Sequence, residues 1–247
     1  MTAMFARVLP LAVVLVLASG RAGANGVIEG TIRLAGPAPV VAARPIVKDA
    51  SVCGREAPAE SVVVGKAGAL ANVVVSVTDA RFAGALPATP GASVDQRACR
   101  YVPHVQAVTV GTPLAVMNND AILHNVHANA ATTDGPALTV FNVAMPIKGQ
   151  TLPVTMGKPG LVRLRCDAGH AWMNAWVHVF SHPYFAVTDD KGAFVIRDVP
   201  AGDHVVEVWH EPASGQGPGT RTTATVKVVD GKRARLDLML RLEPHGK

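Results

Sequence analysis

Charged and aromatic residues are scarce in this sequence. They make up 17% and 4% of the 247 residues, whereas hydrophobic residues make up 49%. This composition excludes intrinsic disorder, which requires low hydrophobicity and a high net charge. The formal net charge is +5, but the sequence contains no long run of Lys and Arg residues, so it does not predict binding to nucleic acid.

After the N-terminus, the sequence also lacks apolar segments long enough to cross a membrane. Residues 1–24 have the pattern of a secretory signal peptide, with Arg7, an apolar stretch over residues 8–18 and small residues before Asn25. The apolar stretch is about half of the roughly 20 residues that a spanning helix needs. We therefore expect export to a bacterial periplasm, cleavage after Ala24 and no membrane span in the mature chain. An uncleaved N-terminal anchor is the alternative.

The 3.6-residue apolar period of a long amphipathic helix is absent as well. Short segments of alternating apolar and polar residues recur instead, separated by turns such as those at 36–39 and 111–113. This spacing is typical of β-sandwiches, so the predicted fold class is all-β. Residues 42–60 are predicted to be irregular, and residues 83–95 and 129–138 to be loops. Strands before the C-terminal region are predicted at 27–34, 61–64, 71–78, 101–102, 105–110, 114–118, 122–128, 152–156, 161–166 and 175–180.

Cysteine is rare, and one of the three cysteines stands in a metal-ligand pattern. The segment Cys166-Asp-Ala-Gly-His170-Ala-Trp-Met173 follows a predicted strand. A thiolate, an imidazole and a thioether suit copper, and two His, one Cys and a weak axial Met form the pattern of electron-transfer copper sites. The second histidine must come from elsewhere, and His124 is the best candidate. A zinc site, or a set of ordinary core and surface residues, are the alternatives.

Around this pattern the chain resembles the cupredoxins, the blue copper proteins. The resemblance covers residues 97–181 and implies a Greek-key β-sandwich. It is carried by three segments in order: Tyr101-Val-Pro with Val108-Thr-Val-Gly-Thr-Pro-Leu, Asn118-Asn-Asp with His124-Asn125, and Gly160-Leu-Val-Arg-Leu-Arg-Cys166 with His170 and Met173.

The resemblance also implies a ligand set for one type 1 copper ion. His124, Cys166 and His170 are the strong ligands that it implies, and Met173 is the axial ligand. Asn125 is the residue expected to tie the ligand loop to the first-ligand strand by hydrogen bonds. The Cys-x3-His-x2-Met spacing is intermediate between familiar loop lengths, which leaves the axial bond length open. His170, on a loop, is expected to form the exposed edge through which electrons leave.

Such a site implies a periplasmic electron carrier. The expected partner is a redox protein such as a c-type cytochrome or a dehydrogenase. Two other functions stay open: a copper chaperone or storage protein with the same ligands, and a structural β-sandwich adaptor without redox activity. The sequence shows no paired carboxylates, Ser–His–Asp set or phosphate-binding loop, so we do not expect an enzyme.

The two other cysteines are expected to pair. An oxidising compartment favours disulfides, and an odd number of cysteines leaves one thiol over. With Cys166 assigned to the metal, Cys53 and Cys99 remain. We predict a disulfide between them that ties the irregular N-terminal segment to the start of the copper domain. Two buried free thiols are the alternative.

The C-terminal region resembles a second kind of β-sandwich. Residues 185–210 are similar to the carboxypeptidase regulatory-like, or transthyretin-like, domain, a small noncatalytic module. The C-terminal region lacks the first strand of that module, but residues 26–37 resemble such a strand. Residues 26–80 and 183–242 are therefore predicted to co-fold. The predicted division is a signal peptide at 1–24, a β segment at 25–95, the copper domain at 96–181 and the second sandwich at 182–247. This combination is similar to exported bacterial proteins labelled methylamine utilisation protein, a label that establishes no substrate.

The remaining histidines and tryptophans have no firm role from sequence alone. His127 is three residues from His124, so strand alternation places it on the opposite face, as an accessory or surface residue. His104 is expected to be structural. Three histidines near the predicted domain junction leave a weak second metal site open: His178, His182 and His210. Trp172 and Trp176 are core residues, a shield for the copper or part of a docking surface.

Overall fold

The computed structural model describes residues 25–131, 136–215 and 217–242. Within these ranges the chain forms two β-sandwiches, one α-helix of four residues and one short 3-10 helix. The predicted all-β fold class is confirmed. The predicted signal peptide lies outside the described residues. The helices within them are too short to span a bilayer.

Nineteen strands lie within the described residues. In chain order the first nine are β1 Gly26–Leu34, β2 Arg44–Pro45, β3 Glu56–Ala57, β4 Val74–Val77, β5 Ser93–Arg97, β6 Arg100–Val102, β7 Val105–Thr109, β8 Pro113–Asn118 and β9 His124–Ala130. The other ten are β10 Leu138–Met145, β11 Gln150–Thr155, β12 Gly160–Arg165, β13 Asn174–Phe180, β14 Phe185–Val187, β15 Ala193–Val199, β16 Gly202–His210, β17 Thr220–Val228, β18 Arg233–Arg235 and β19 Leu238–Leu240. The α-helix α1 is Ala50–Cys53, and the 3-10 helix is Lys66–Gly68.

The first sandwich is built from the middle of the chain. One of its sheets has the strand order β10-β9-β12-β13-β7, and the other has the order β11-β8-β5-β6. Every second residue of β8 is buried, because successive side chains of a strand point to opposite faces. The inner faces of both sheets contribute to one core, which includes Val116, Val126 and Leu164. This core surrounds the segments that carry the predicted metal ligands.

The second sandwich joins the two ends of the described chain. Strand β1 pairs with β15 in antiparallel and with β18 and β19 in parallel orientation, and the facing sheet has the order β14-β4-β16-β17. Ile28, Ile32 and Ile196 are among the buried residues of its core. Gly30 allows a close approach in this sheet, because a Cβ atom there would lie 1.8 Å from the carbonyl oxygen of Leu236. The first sandwich is thus inserted between the N-terminal and C-terminal strands of the second.

The two sandwiches meet at a small aromatic and ionic contact. The rings of Trp176 on β13 and Trp209 on β16 lie 5.7 Å apart in an edge-on arrangement. Next to them, Glu211 is buried and binds Nε1 of Trp176 at 3.0 Å and Nε2 of His104 at 2.5 Å. Burial alone lowers the pKa of His104, but the hydrogen bond and charge of Glu211 hold it above its ordinary value. His104 therefore links the two sandwiches.

Several secondary-structure predictions were wrong. Residues 42–60 were predicted to be irregular, but they contain β2, α1 and β3. Residues 93–97 form strand β5, although residues 83–95 were predicted as a loop, because β5 pairs with the distant strand β8. Residues 61–64 form no strand beyond one bridge from Val64 to Leu70. Strand β10 was not predicted, since most of its residues are exposed and it lacks a clear apolar alternation. Pairing with another strand, and not the side-chain pattern, defines β5 and β10.

A buried histidine at the contact between the sandwiches makes the stability of the protein depend on pH. Burial, and to a smaller extent the charge of Arg221, lowers the pKa of His178 to about 3. An unfolded histidine titrates near pH 6.5, so below that pH the unfolded chain binds a proton that the folded chain does not. We expect this group to lower the free energy of unfolding by about 3 kcal/mol between pH 6.5 and pH 4.

Urea unfolding between pH 4 and pH 7 measures this effect. In the variant His178→Phe, an aromatic ring is retained beside Phe180 and Trp209, which both contact the histidine ring. The slope of the unfolding free energy against pH reports how many more protons the unfolded chain binds than the folded chain. In this variant that number should fall by about one. Equal slopes in the variant and the parent protein would contradict the assignment.

Candidate metal centre

Three potential metal donors meet in the core of the first sandwich. His124 is the first residue of β9, and Cys166 directly follows the last residue of β12. These strands are antiparallel neighbours, with His127 opposite Arg165, so the start of β9 lies beside the end of β12. His170 lies in the loop that connects β12 to β13. The strand order therefore brings together residues that are 46 positions apart in the chain.

The donor atoms of these three residues are close enough to share one ion. Nδ1 of His124 lies 3.0 Å from Nδ1 of His170, and Sγ of Cys166 lies 3.5 Å from the same Nδ1. All three donor atoms lie within 4.8 Å of one another. Donors bound at about 2.0–2.3 Å from one ion lie roughly 3–4 Å apart. Both histidines are 0% exposed and Cys166 is 5% exposed, so the site is closed to solvent.

Each histidine is oriented by a carboxylate on its outer side. Nε2 of His124 lies 2.9 Å from Oδ2 of Asp120, and Nε2 of His170 lies 2.9 Å from Oδ2 of Asp49. A carboxylate accepts a hydrogen bond from the Nε2–H group, which keeps the proton on Nε2 and leaves the Nδ1 lone pair free for a metal. Two such lone pairs 3.0 Å apart require a cation or a shared proton between them. This arrangement fits a metal ion.

The protonation of His124 also suits a metal ligand. Burial lowers the pKa of His124, and the neighbouring His170 lowers it further, against the opposing hydrogen bond and charge of Asp120. A metal binds the neutral imidazole, so a lowered pKa reduces the competition from protons.

The turn before β9 explains how Asp120 and His124 are positioned. Asn118, which is fully buried, donates from Nδ2 to the carbonyl oxygens of Ile122 and Met145, and its Oδ1 accepts the N–H of Asp120. The carboxylate of Asp120 also accepts the N–H groups of Ala98 and Cys99 at 2.8 and 2.7 Å. Asp120 is thus held by the backbone of residues 98–99 and by the side chain of Asn118 while it binds His124.

Asn125 connects the ligand loop to β9. Its Oδ1 accepts the N–H of Asp167 at 2.5 Å, and its Nδ2 donates to Oδ1 of Asn142. The hydroxyl of Tyr101 donates to the carbonyl oxygen of Asn125. These bonds hold the residue after Cys166 against the strand that begins with His124.

Met173 lies at the end of the ligand loop and is 2% exposed. Its N–H donates to the carbonyl oxygen of His170 at 2.9 Å, and its side chain belongs to the same core cluster as Cys166 and Trp172. Its place as axial ligand stays a prediction. Met145 stands in no recognisable sequence pattern. It lies opposite His124 in the strand register, and its sulfur accepts a hydrogen bond from Gln96.

The predicted disulfide between Cys53 and Cys99 is confirmed. It attaches residues 44–57, which we call the cover segment, to the first sandwich. The cover segment consists of the paired strands β2 and β3 with helix α1 between them. Asp49, at the start of α1, lies over His170.

The cover segment overturns one expectation. His170 was expected to form an exposed edge of the site, but it is 0% exposed because Asp49 and Trp172 pack against it. The ring of Trp172 lies 5.3 Å from that of His170. Asp49 was missed because it is 121 residues from His170 and lies in a segment without a recognisable pattern.

The other histidines in the described part of the chain do not belong to this group of donors. His127 binds Oδ2 of Asp167 at 2.6 Å and Oγ1 of Thr139 at 2.9 Å. Within the described part of the chain, two groups of three donors could hold an ion, and neither includes His178, His182 or His210. The second group consists of Cys99, Asp120 and His124, and the sulfur of Cys99 is already used in the disulfide.

No protein-family model and no curated protein matches this sequence. A purple cupredoxin from Nitrosopumilus maritimus aligns at 22% identity over 36% of this chain and 99% of its own, with a TM-score of 0.31. A reduced amicyanin variant aligns at 29% identity over 37% of this chain and 85% of its own, with a TM-score of 0.31. A copper-containing nitrite reductase from Thermus scotoductus aligns at 21% identity over 42% of this chain and 24% of its own, with a TM-score of 0.29.

Proposed function

We propose that this chain is an exported type 1 copper protein that carries single electrons between periplasmic redox partners. The observation that carries the proposal is the convergence of Cys166, His124 and His170 in a closed site. A thiolate with two imidazoles and a nearby thioether is the donor set of electron-transfer copper centres. A copper ion bound there supplies the one-electron Cu(II)/Cu(I) couple.

The surroundings favour copper over zinc. A zinc site with one Cys and two His takes a fourth Cys, His, carboxylate or water as ligand. The nearby carboxylates of Asp49 and Asp120 are bound to the outer Nε2 atoms of the histidines. The carboxylate of Asp167 in the ligand loop is bound to His127 and Arg165. The other donor of that loop is the thioether of Met173, which suits copper better than zinc.

The same surroundings favour a carrier over an enzyme. The ligands are held by Asp49, Asp120 and Asn125, so their positions need little change when the charge of a bound ion changes. The closed site leaves no room for a substrate at the donors. We propose a redox protein, such as a c-type cytochrome or a dehydrogenase, as the partner.

A redox titration of the copper-loaded chain tests this function. We expect one copper ion per chain and a reversible one-electron reduction during which the metal stays bound. Loss of the metal on each reduction would instead support a chaperone or storage protein. A chain that binds no copper would support a structural adaptor.

Replacement of Met173 tests the axial ligand. We expect Met173→Leu to keep the copper and the fold but to raise the reduction potential, because loss of a sulfur donor disfavours Cu(II). Met173→Gln should lower the potential, because an amide oxygen is a harder donor. The change to Leu conserves volume and should cost less than about 1.5 kcal/mol of stability.

Voltammetry of both variants measures the effect. Met156→Leu is a matched control, because Met156 is equally buried in the same core but lies outside the ligand loop. Potentials of both Met173 variants equal to that of the parent protein would show that Met173 only packs, and would leave a site of three ligands.

A further inference from the structure

Three contacts hold the cover segment on the ligand loop and its neighbours. Nζ of Lys48 donates to the carbonyl oxygen of Ala168 at 2.6 Å, and the carboxylate of Asp49 binds His170 at 2.9 Å. The disulfide from Cys53 is the third contact and the only covalent one among the three. The cover segment thus lies over the ligand loop directly above one predicted metal ligand.

The disulfide connects the two carboxylates that orient the histidines. On one side, the N–H of Cys53 donates to the carbonyl oxygen of Asp49 at 2.9 Å, within one turn of α1. On the other side, the N–H of Cys99 donates to the carboxylate of Asp120 at 2.7 Å. The carbonyl oxygen of Cys99 also accepts the indole N–H of Trp172, whose ring packs on His170. A single covalent bond therefore joins the supports of both histidines.

Apart from the disulfide, the cover segment is weakly attached. Helix α1 has no buried residue, and both residues of β2 are exposed. Ile46 and Cys53 are only partly buried against the core, and the contact of Lys48 is exposed. Ala57, at the C-terminal end of the segment, is its one buried residue. Exposed charged contacts of this kind contribute little to stability. Asp49 also has a φ of 53°, a left-handed conformation that the folded segment must maintain.

We propose that the disulfide between Cys53 and Cys99 controls access to the metal site. With the disulfide intact, Asp49 stays on His170 and the site is closed. When the disulfide is reduced, the cover segment detaches locally and exposes His170 and Cys166. If the proposed copper function holds, the thiol state of the protein thereby sets how fast copper enters and leaves.

The reductant required is a dithiol. Its thiolate attacks Sγ of Cys53, which is partly exposed, whereas Cys99 is fully buried. The disulfide bond breaks, a mixed disulfide forms on Cys53, and the leaving thiolate of Cys99 takes up a proton. The second thiol of the reductant then displaces Cys53 as a thiol and closes its own disulfide. Two electrons and two protons pass to the protein, and the dithiol is oxidised.

Alkylation of Cys166 in the metal-free protein tests this proposal without any use of copper. Cys166 is the one free cysteine when the disulfide is intact, and it is buried. We expect iodoacetamide to modify Cys166 at least about tenfold faster in the double variant Cys53→Ser/Cys99→Ser than in the parent protein, since the cross-link no longer opposes opening. Glu56→Gln, an exposed change within the cover segment, is the matched control and should leave the rate unchanged.

A second arm covers the case in which the double variant does not fold. The parent protein is reduced with dithiothreitol, freed of reductant and labelled, and the label on Cys166 is counted by mass spectrometry beside the circular dichroism spectrum. Faster labelling with the β-sheet signal retained supports the proposal. An unchanged rate, or global unfolding on reduction, overturns it.

The rate of copper exchange distinguishes a failure of this proposal from a failure of the proposed function. Transfer of copper to a chelator that is faster from the reduced protein than from the disulfide-intact protein supports both the control of access and the proposed function. If the chain binds no copper but the labelling of Cys166 accelerates on reduction, the proposed function fails and the control of access stands. If copper binds and exchanges at one rate in both thiol states, the control of access fails and the proposed function stands.

Discussion

Copper-loaded protein with the substitution Cys166→Ser is expected to lose its strong visible absorption band and most of its affinity for Cu(II). The thiolate supplies the charge-transfer transition, and a serine hydroxyl stays protonated and binds copper poorly. Loss of a residue that merely orients a ligand costs 10–100-fold in metal affinity. For loss of a ligand itself we expect at least about 100-fold.

The other two cysteines provide the control for this experiment. Cys53 and Cys99 are joined in the disulfide and their sulfurs are not available to a metal. The double variant Cys53→Ser/Cys99→Ser should therefore keep the visible band at saturating copper. A parent-like spectrum in Cys166→Ser would remove Cys166 from the site and contradict the proposed ligand set.

The second large effect is expected at Asp120, which acts on both the fold and the metal site. Its carboxylate accepts two backbone N–H groups and binds Nε2 of His124. The variant Asp120→Asn has one oxygen acceptor in place of two and no charge. Because buried groups then lose hydrogen bonds to a charged partner, we expect the free energy of unfolding to fall by about 2–4 kcal/mol. The affinity for copper should fall about 10–100-fold, because His124 is no longer oriented.

Urea unfolding and competition with a copper chelator measure the two effects separately. Asp95→Asn is the matched control, because Asp95 is a similarly buried carboxylate that binds Asn119 and no predicted ligand. The control should lose some stability and keep its copper affinity. If Asp120→Asn loses stability but binds copper as tightly as the parent, Asp120 has a structural role alone.

The local part of the site could be predicted from the sequence. Cys166, His170 and Met173 lie within eight residues on one loop, so their spacing alone indicates a soft metal site. His124 lies on a different strand, and its selection depended on the resemblance of the segment around Asn118 to a known first-ligand segment. Residues brought together by one short loop leave a readable pattern, whereas residues brought together by strand pairing do not.

The cover segment could not be predicted for the same reason. Asp49 lies in a stretch that lacks periodicity, and its contact with His170 spans 121 residues. Its position depends on the disulfide, which was predicted, and on the hairpin of β2 and β3, which was not. The expectation of an exposed His170 was wrong because the cover segment, whose position the sequence does not reveal, packs over the ligand loop. We therefore expect the proposed redox partner to approach the site elsewhere or to contact it after the cover segment has moved.

Parts of the fold could not be predicted because strand pairing, and not the side-chain pattern, defines them. Strand β10 forms along β9 although most of its residues are exposed, so the pairing and not the side-chain pattern defines it. Strand β1 reaches its partners β15, β18 and β19 across the whole first sandwich. Composition and turn spacing indicate sandwiches, but they do not say which strands pair.

The optical spectrum of the disulfide-intact chain loaded with copper tests the central claim most directly. We expect one copper ion per chain and an intense visible band from the bond between Cys166 and Cu(II), and this band should vanish on one-electron reduction. A chain that binds one copper ion but shows only the weak absorption of a site without thiolate, or that binds no copper, would contradict a type 1 centre of His124, Cys166 and His170.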